Sequence, residues 1–410
     1  MSGDGHAGGM ETAARHALGW LLFGNLAGLW LSVLLLWPEL GAGEWTYGRW
    51  VPVHLNVQLY GWTSLPLVAW LMAIYQVDAS RVRRWGAAAV WAWTAALAAG
   101  VLHWLHGVTS GKIFLDWKLG SLTAFVLAQG ILWLVLALAW WDRAWDWKPL
   151  KRWLGLAGLF GLALVPLSLA FASSPTIYPP VDRTTGGPTG SSLLGSTLFV
   201  VGLMWLLPRV MGIPGKTKPN PVAPAFFIVS WIVFAITEWI GGSHFDWWQI
   251  AAMLLLLPWV WLLPRDWSGR DWPAPCAPWR KAMFFWWGLL VVSGLLMYAP
   301  GVLDRLKFTQ GLVAHSHLAM AGFTTSFCAH LLVLLAGRPL GGKSTVLVWN
   351  AAAFAMVAAL ATGGWLEGGG PSWMLESPVW RISVFAVRAL CGAVMVGVAA
   401  TWFTRWKSPS

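Results

Sequence analysis

Two histidines, His315 and His317, stand close together in the apolar run GLVAHSHLAMAGF. A helix advances about 100° per residue, so side chains two positions apart leave it about 200° apart. The two imidazoles therefore cannot hold one metal ion together, but each can serve a partner on its own side of the helix. A third histidine, His54, lies in another apolar run, VPVHLNVQLYGW.

The composition predicts a membrane protein. Of the 410 residues, 58% are hydrophobic and only 10% are charged, which is far less charge than a soluble protein of this size carries. The apolar residues come in blocks of about 20, enough to cross a hydrocarbon core about 30 Å thick. The 36 Trp suit interfacial belts at headgroup level. We therefore expect an all-α integral membrane protein.

The charges and cysteines exclude several other classes. The net charge of +11 is spread over short loops, whereas a nucleic-acid-binding surface needs a basic patch. Cys276, Cys328 and Cys391 are far apart and no Cys-x-x-Cys-His occurs, which argues against a covalently attached c-type heme and against a disulfide framework. The polar, acid-containing first 16 residues do not read as a cleaved signal peptide.

The loops predict the topology. Basic segments such as RVRR (81–84) and GRPLGGK (337–343) alternate along the chain with loops poor in Lys and Arg, so both termini are expected in the cytoplasm. We expect cytoplasmic tails at 1–16 and 405–410 and a single twelve-helix membrane domain at 17–404. Its spans are predicted at about 17–37, 51–76, 85–106, 119–141, 153–173, 191–212, 222–242, 247–264, 281–300, 311–336, 344–365 and 379–403.

This topology gives the histidines a depth. Even-numbered spans enter from outside, so His54 lies near the outer end of the second span. His315 and His317 lie about 6–10 Å below the outer end of the tenth span. The outer third of the membrane is also expected to contain His103, His106 and His244.

The other histidines have ordinary explanations. His330 lies about 20 Å deeper along the tenth span and is expected to be a hydrogen-bonded interhelical residue. His103 and His106 share a face and could hold a metal or heme, but helix ends near the interface tolerate histidine easily. His6 and His16 are assigned to a solvated tail.

Ionisable groups inside a membrane usually mark a pathway, a cofactor or a pair. A planar heme needs axial ligands from opposite sides, ideally from two helices. His54 and one residue of the pair at 315 and 317 could therefore clamp one low-spin heme, and the other histidine would face a second heme.

These residues give the sequence a resemblance to subunit I of the heme–copper oxidase superfamily, most closely the C-type (cbb-type) cytochrome c oxidases. VHLNVQLYG is similar to the family's helix II motif, VAHSHLAMAGF to its helix X motif and VRALCGAV (387–394) to its helix XII motif. GVTSGK and EWIGGSH are similar to two further stretches. The resemblance covers nearly the whole chain in order, and it implies the twelve-helix fold of that subunit.

The resemblance also implies site residues. His54 and His317 would be axial ligands of a low-spin heme b, and His315 the proximal ligand of a second, high-spin heme. Arg388 would compensate the charge of heme propionates, since a cation in lipid needs a partner; a structural pair with Glu238 or a carbonyl is the alternative.

The sequence departs from the family at the copper site. That site needs three histidines on helices VI and VII, but span six has none and span seven ends in Ser243-His244. The stretch FAITEWIGG offers Thr237 and Glu238 but no redox Tyr. His244 is therefore expected to be a remnant, and copper is not expected, because affinity depends on ligand number and geometry.

We accordingly expect a heme b-binding electron-transfer subunit of a respiratory-type complex in a bacterial-type inner (plasma) membrane. Its hemes would lie near the outer face and its partners would be membrane-anchored or soluble c-type cytochrome subunits. A divergent terminal oxidase or nitric oxide reductase is the alternative, with His103 or His106 completing the metal site. A transporter or structural subunit with incidental histidines is the third possibility.

Overall fold

The protein is all-helical. The structure, a computed structural model, describes residues 8–174, 190–216, 221–243, 245–370 and 377–406, and these ranges contain helices but no β-strand. Among them, twelve helices are long and apolar enough to cross a membrane, which confirms the predicted number and the multi-span class. They are α1 (Gly9–Leu36), α2 (Tyr47–Ile74), α3 (Arg83–Leu105), α4 (Leu119–Asp146), α5 (Pro149–Ser173), α6 (Leu193–Val210), α7 (Val222–Ile240), α8 (Trp247–Ser268), α9 (Ala274–Met297), α10 (Gln310–Ala336), α11 (Lys343–Glu367) and α12 (Ile382–Arg405).

The first helix begins earlier than its apolar block predicts. Residues from Gly9 onward are helical because tertiary partners satisfy the polar first turn. The Asp78 carboxylate accepts a hydrogen bond from the Gly9 backbone N–H at 2.8 Å, which also places a negative charge at the positive end of the helix dipole. Glu11 pairs with Arg338 at 3.2 Å.

The contacts divide the chain into two compact units. Unit 1 is 1–177, 328–352 and 381–410, and unit 2 is 178–327 and 353–380. The boundaries fall inside α10 and α11, so each of these helices contributes residues to both units. The single membrane domain expected from the sequence stays a prediction.

In unit 1, two glycines of α1 allow α2 to approach closely. A Cβ added at Gly24 would lie 2.8 Å from Nε2 of Gln58, and one added at Gly28 would lie 2.6 Å from Cε1 of His54. Gly24 and Gly28 are four residues apart on α1, as are His54 and Gln58 on α2, so the two contacts lie one turn apart along the same helix faces. Small residues permit such close packing of helices in membranes, where the hydrophobic effect does not drive helices together.

Two of the long helices contain a stretch of π-helix. In α2 it covers Val57–Thr63 and begins three residues after His54. In α10 it covers Leu318–Thr324 and begins directly after His317. Such segments are rare and frequently occur at functional sites.

Many tryptophans form the interior of the units, in addition to those that suit an interfacial belt. In unit 1, the Trp117 and Phe125 rings stack at 4.2 Å between centroids, and Tyr60 packs edge-on against both. Ten Trp side chains are among the largest fully buried ones, namely Trp62, Trp104, Trp117, Trp259, Trp267, Trp279, Trp286, Trp287, Trp349 and Trp402.

Unit 2 is held together by polar contacts as well as by rings. Arg209 of α6 donates two hydrogen bonds to Asp266 of α8, at 2.8 and 3.1 Å. The indole N–H of Trp267 donates to the Met204 carbonyl at 3.0 Å. These bonds fix the C-terminal end of α8 against α6.

Candidate functional site

His54 is anchored by a hydrogen bond between helices. Its Nδ1 lies 2.8 Å from the carbonyl oxygen of Gly24 on α1. A carbonyl can only accept, so Nδ1 carries the proton and Nε2 holds the lone pair of the neutral ring. Histidines that bind metals are commonly oriented by a bond of this kind. The glycine at position 28 makes room for the ring.

Arg388 of α12 lies in the same unit as His54. Its side chain is only 6% exposed and lies close to the hydroxyl of Tyr47, at the start of α2. It is near enough for its charge to act on the His54 ring. Among the ion pairs described within unit 1, none neutralises this guanidinium. The site therefore combines an imidazole nitrogen with a buried positive charge that suits an anionic group.

His315 faces α9 within unit 2. Its Nδ1 lies 3.2 Å from the hydroxyl of Ser293, and this hydroxyl donates to the Leu290 carbonyl at 3.3 Å. Ser293 can therefore accept from Nδ1–H, which leaves the lone pair on Nε2. An added Cβ at Gly294 would be 3.6 Å from the ring, which is ordinary van der Waals contact.

His317 makes a hydrogen bond within its own helix. Its Nδ1 lies 2.8 Å from the Val313 carbonyl, one turn earlier. The residues from Gln310 to His317 are regular α-helix, so the angle of about 200° between the two histidine positions applies to the folded chain.

Two histidines outside these positions differ in their surroundings. His106 is exposed and its Nδ1 bonds the Leu102 carbonyl at 2.8 Å, the same local bond that His317 makes. A bond of this kind is therefore not distinctive. Nδ1 of His103 is buried without a hydrogen-bond partner among the described residues.

His16 does not lie in a solvated tail, and that expectation is wrong. It belongs to α1, where its Nδ1 is 2.6 Å from the Thr94 hydroxyl and its ring packs edge-on against Trp91. By contrast, His330 is fully buried on α10, in agreement with an interior role.

The presumed copper region is described only in part. His244 lies outside the described residues. Glu238, near the end of α7, is exposed. No group of three or more His, Cys, Asp or Glu that could hold a metal ion occurs in the described ranges.

Sequence reasoning missed a buried polar pair next to His54. The Asn56 amide donates to Asp116 at 2.8 Å, and the Thr109 hydroxyl donates to the other oxygen of the same carboxylate at 2.6 Å. Asn56 is 0% exposed and Asp116 is 4% exposed. The Asp116 carboxylate links the VHLN stretch, through Asn56, to the GVTSGK stretch, through Thr109, and the polar residues in and beside these apolar runs were the available signal.

Comparison of the chain with models of known protein families and with curated protein sequences found no match.

Proposed function

We propose that the chain is a heme b-binding electron-transfer subunit of a membrane redox complex, with the fold of a heme–copper oxidase subunit I. The proposal rests on the sequence resemblance, and the orientation of His54 is the observation that supports it best. An imidazole held through Nδ1 by a carbonyl of another helix has its Nε2 lone pair fixed in direction, as an axial ligand requires.

The proposed ligands of the low-spin heme are His54 and His317, and His315 would bind a second heme. Each of these rings has an Nδ1 contact, which leaves Nε2 with the lone pair that an iron ligand needs. Arg388 would offset the propionate charge, and the nearby Tyr47 hydroxyl would help to hold the guanidinium in place. When bound, the heme iron supplies the one-electron redox couple.

The chain's own residues would bind, orient and insulate the group. Gly24 would set the ring plane of His54, and Gly28 would leave the space that the ring needs. Partner c-type cytochrome subunits would deliver or remove electrons at the outer face, to which the charge pattern of the loops assigns the histidines. The membrane is proposed to be a bacterial-type inner membrane.

Heme counting and metal analysis test this proposal. A pyridine hemochrome spectrum of the purified chain should give one or two b-type hemes per chain. His54→Ala and His317→Ala should each lose the low-spin signal, whereas His106→Ala, the control at an exposed histidine, should keep it. Absence of a Soret band from the parent chain would exclude the proposal. Copper near one equivalent, with oxygen uptake from reduced cytochrome c, would instead identify a divergent terminal oxidase.

A further inference from the structure

A pocket of about 160 Å³ that is open on one side lies within unit 1, and none of its lining residues is a histidine. Three helices line it with one face each. The helices are α2, α4 and α5, and Trp93 of α3 completes the wall. The lining residues with polar or aromatic groups are Ser64, Trp93, Gln129 and Trp133, and Leu162 and Pro166 line the side formed by α5. Almost all of this lining is apolar.

Gln129 is the exception. The residue is only 8% exposed, and its Oε1 is buried without a hydrogen-bond partner among the described residues. Gln129 is ten residues from the start of α4, so it lies about 15 Å along the helix and near the middle of the membrane. A buried amide without a partner is costly, so an occupant that bonds to it gains stability.

The other polar groups of the lining are already satisfied. The Ser64 hydroxyl donates to the Leu59 carbonyl at 2.9 Å. The indole N–H of Trp93 donates to the Tyr60 carbonyl at 2.8 Å, and that of Trp133 donates to the Leu159 carbonyl at 2.8 Å. The Gln129 amide therefore offers the unused side-chain hydrogen-bonding capacity of this cavity.

Pro166 leaves the backbone carbonyl of Leu162 as a second acceptor. It lies inside α5 and has no N–H, so the carbonyl of Leu162 cannot receive the usual bond from four residues later. Both residues line the cavity. A hydroxyl group has one hydrogen to donate, so it can donate to the Gln129 Oε1 atom or to this carbonyl, but not to both at once.

We propose that this cavity binds a small molecule of one aromatic ring that carries a hydroxyl group, of the phenol class. The volume corresponds to a single ring, since an engineered apolar cavity of about 150 Å³ in another protein binds benzene. Trp93 and Trp133 supply ring contacts that favour an aromatic body over a linear one. An acyl chain would leave the amide unpaired.

Fluorine NMR of the full chain in lipid nanodiscs tests the proposal, with 4-fluorophenol and 4-fluorotoluene as probes and empty nanodiscs as the baseline. These probes differ by a hydroxyl in place of a methyl group. The hydroxylated probe should bind about 3- to 10-fold more tightly, as one hydrogen bond to a neutral partner provides.

Variants separate recognition of the hydroxyl from filling of the cavity. Gln129→Leu should reduce the affinity ratio to about one while 4-fluorotoluene still binds, and Leu132→Trp should abolish the binding of both probes. Thr123→Val, at an exposed site on the same helix, should leave both affinities unchanged. The proposal is wrong if the parent chain binds the two probes equally, if Gln129→Leu keeps the preference, or if a tightly held lipid excludes both probes.

Discussion

Replacing Gly28 with Ala tests the close packing of α1 against His54. The new Cβ would lie 2.6 Å from Cε1 of the imidazole, whereas ordinary contacts begin at about 3.4 Å. The ring or the helix must therefore move by about 0.8 Å. The Nδ1 bond to the Gly24 carbonyl, 2.8 Å long, would then lengthen to as much as about 3.6 Å, beyond hydrogen-bonding distance.

The expected cost of Gly28→Ala is the sum of two destabilising contributions and one stabilising contribution. Overpacking of this kind destabilises by about 1–3 kcal/mol, and loss of the hydrogen bond adds about 1 kcal/mol. Against this, Ala is better than Gly in a helix by about 1 kcal/mol. The net loss of unfolding free energy should therefore be about 1–3 kcal/mol.

Gly19→Ala is the matched control on the same helix. A Cβ there would lie 3.4 Å from the Phe403 ring, so only the helix preference should act and stability should stay equal or rise by up to about 1 kcal/mol. Unfolding in mixed micelles, followed by circular dichroism, measures both variants. If Gly28→Ala proves as stable as Gly19→Ala, the close approach of His54 to α1 is not a feature of the folded protein.

Two further substitutions test buried polar contacts. Asp266→Asn removes the charge that Arg209 binds through two hydrogen bonds and should lower the unfolding free energy by about 1–3 kcal/mol. Asp271→Asn, the control at a residue whose side chain is 59% exposed, should change the unfolding free energy by less than about 1 kcal/mol. Equal losses in the two variants would mean that the contact between Asp266 and Arg209 does not stabilise the protein. Asn56→Leu takes a donor from the buried carboxylate of Asp116, so thermal unfolding should show a loss of about 1–3 kcal/mol; a neutral result would mean that this carboxylate does not need the amide.

The number of spans was predictable because apolar blocks of about 20 residues record the thickness of the membrane directly. The ends of the helices were less so. Glu11 and His16 look like tail residues because their polarity is visible in the sequence, whereas their partners are not. Arg338, which pairs with Glu11, is 327 positions away along the chain.

The candidate site was predictable to a similar extent. The spacing of His315 and His317 follows from helix geometry alone, and it applies because this part of α10 is regular. The role of Gly24 as the partner of His54 could not be read from the sequence, since any backbone carbonyl can accept. The cavity beside Gln129 was hidden for a related reason: its walls come from four helices whose relative rotation no apolar pattern fixes.

The π-helical stretches of α2 and α10 have a further consequence for how these helices tolerate the insertion or deletion of a residue during evolution. A π turn corresponds to one residue inserted into an α-helix, and one residue amounts to about 100° of rotation. Because the wider π turn absorbs the extra residue, deleting a single residue within 57–63 would restore a regular helix while the faces on either side keep nearly the same relative orientation. A residue can thus be gained or lost in this stretch without turning the face that presents His54 against the face farther along α2, whereas the same change in a regular stretch would turn them by about 100°.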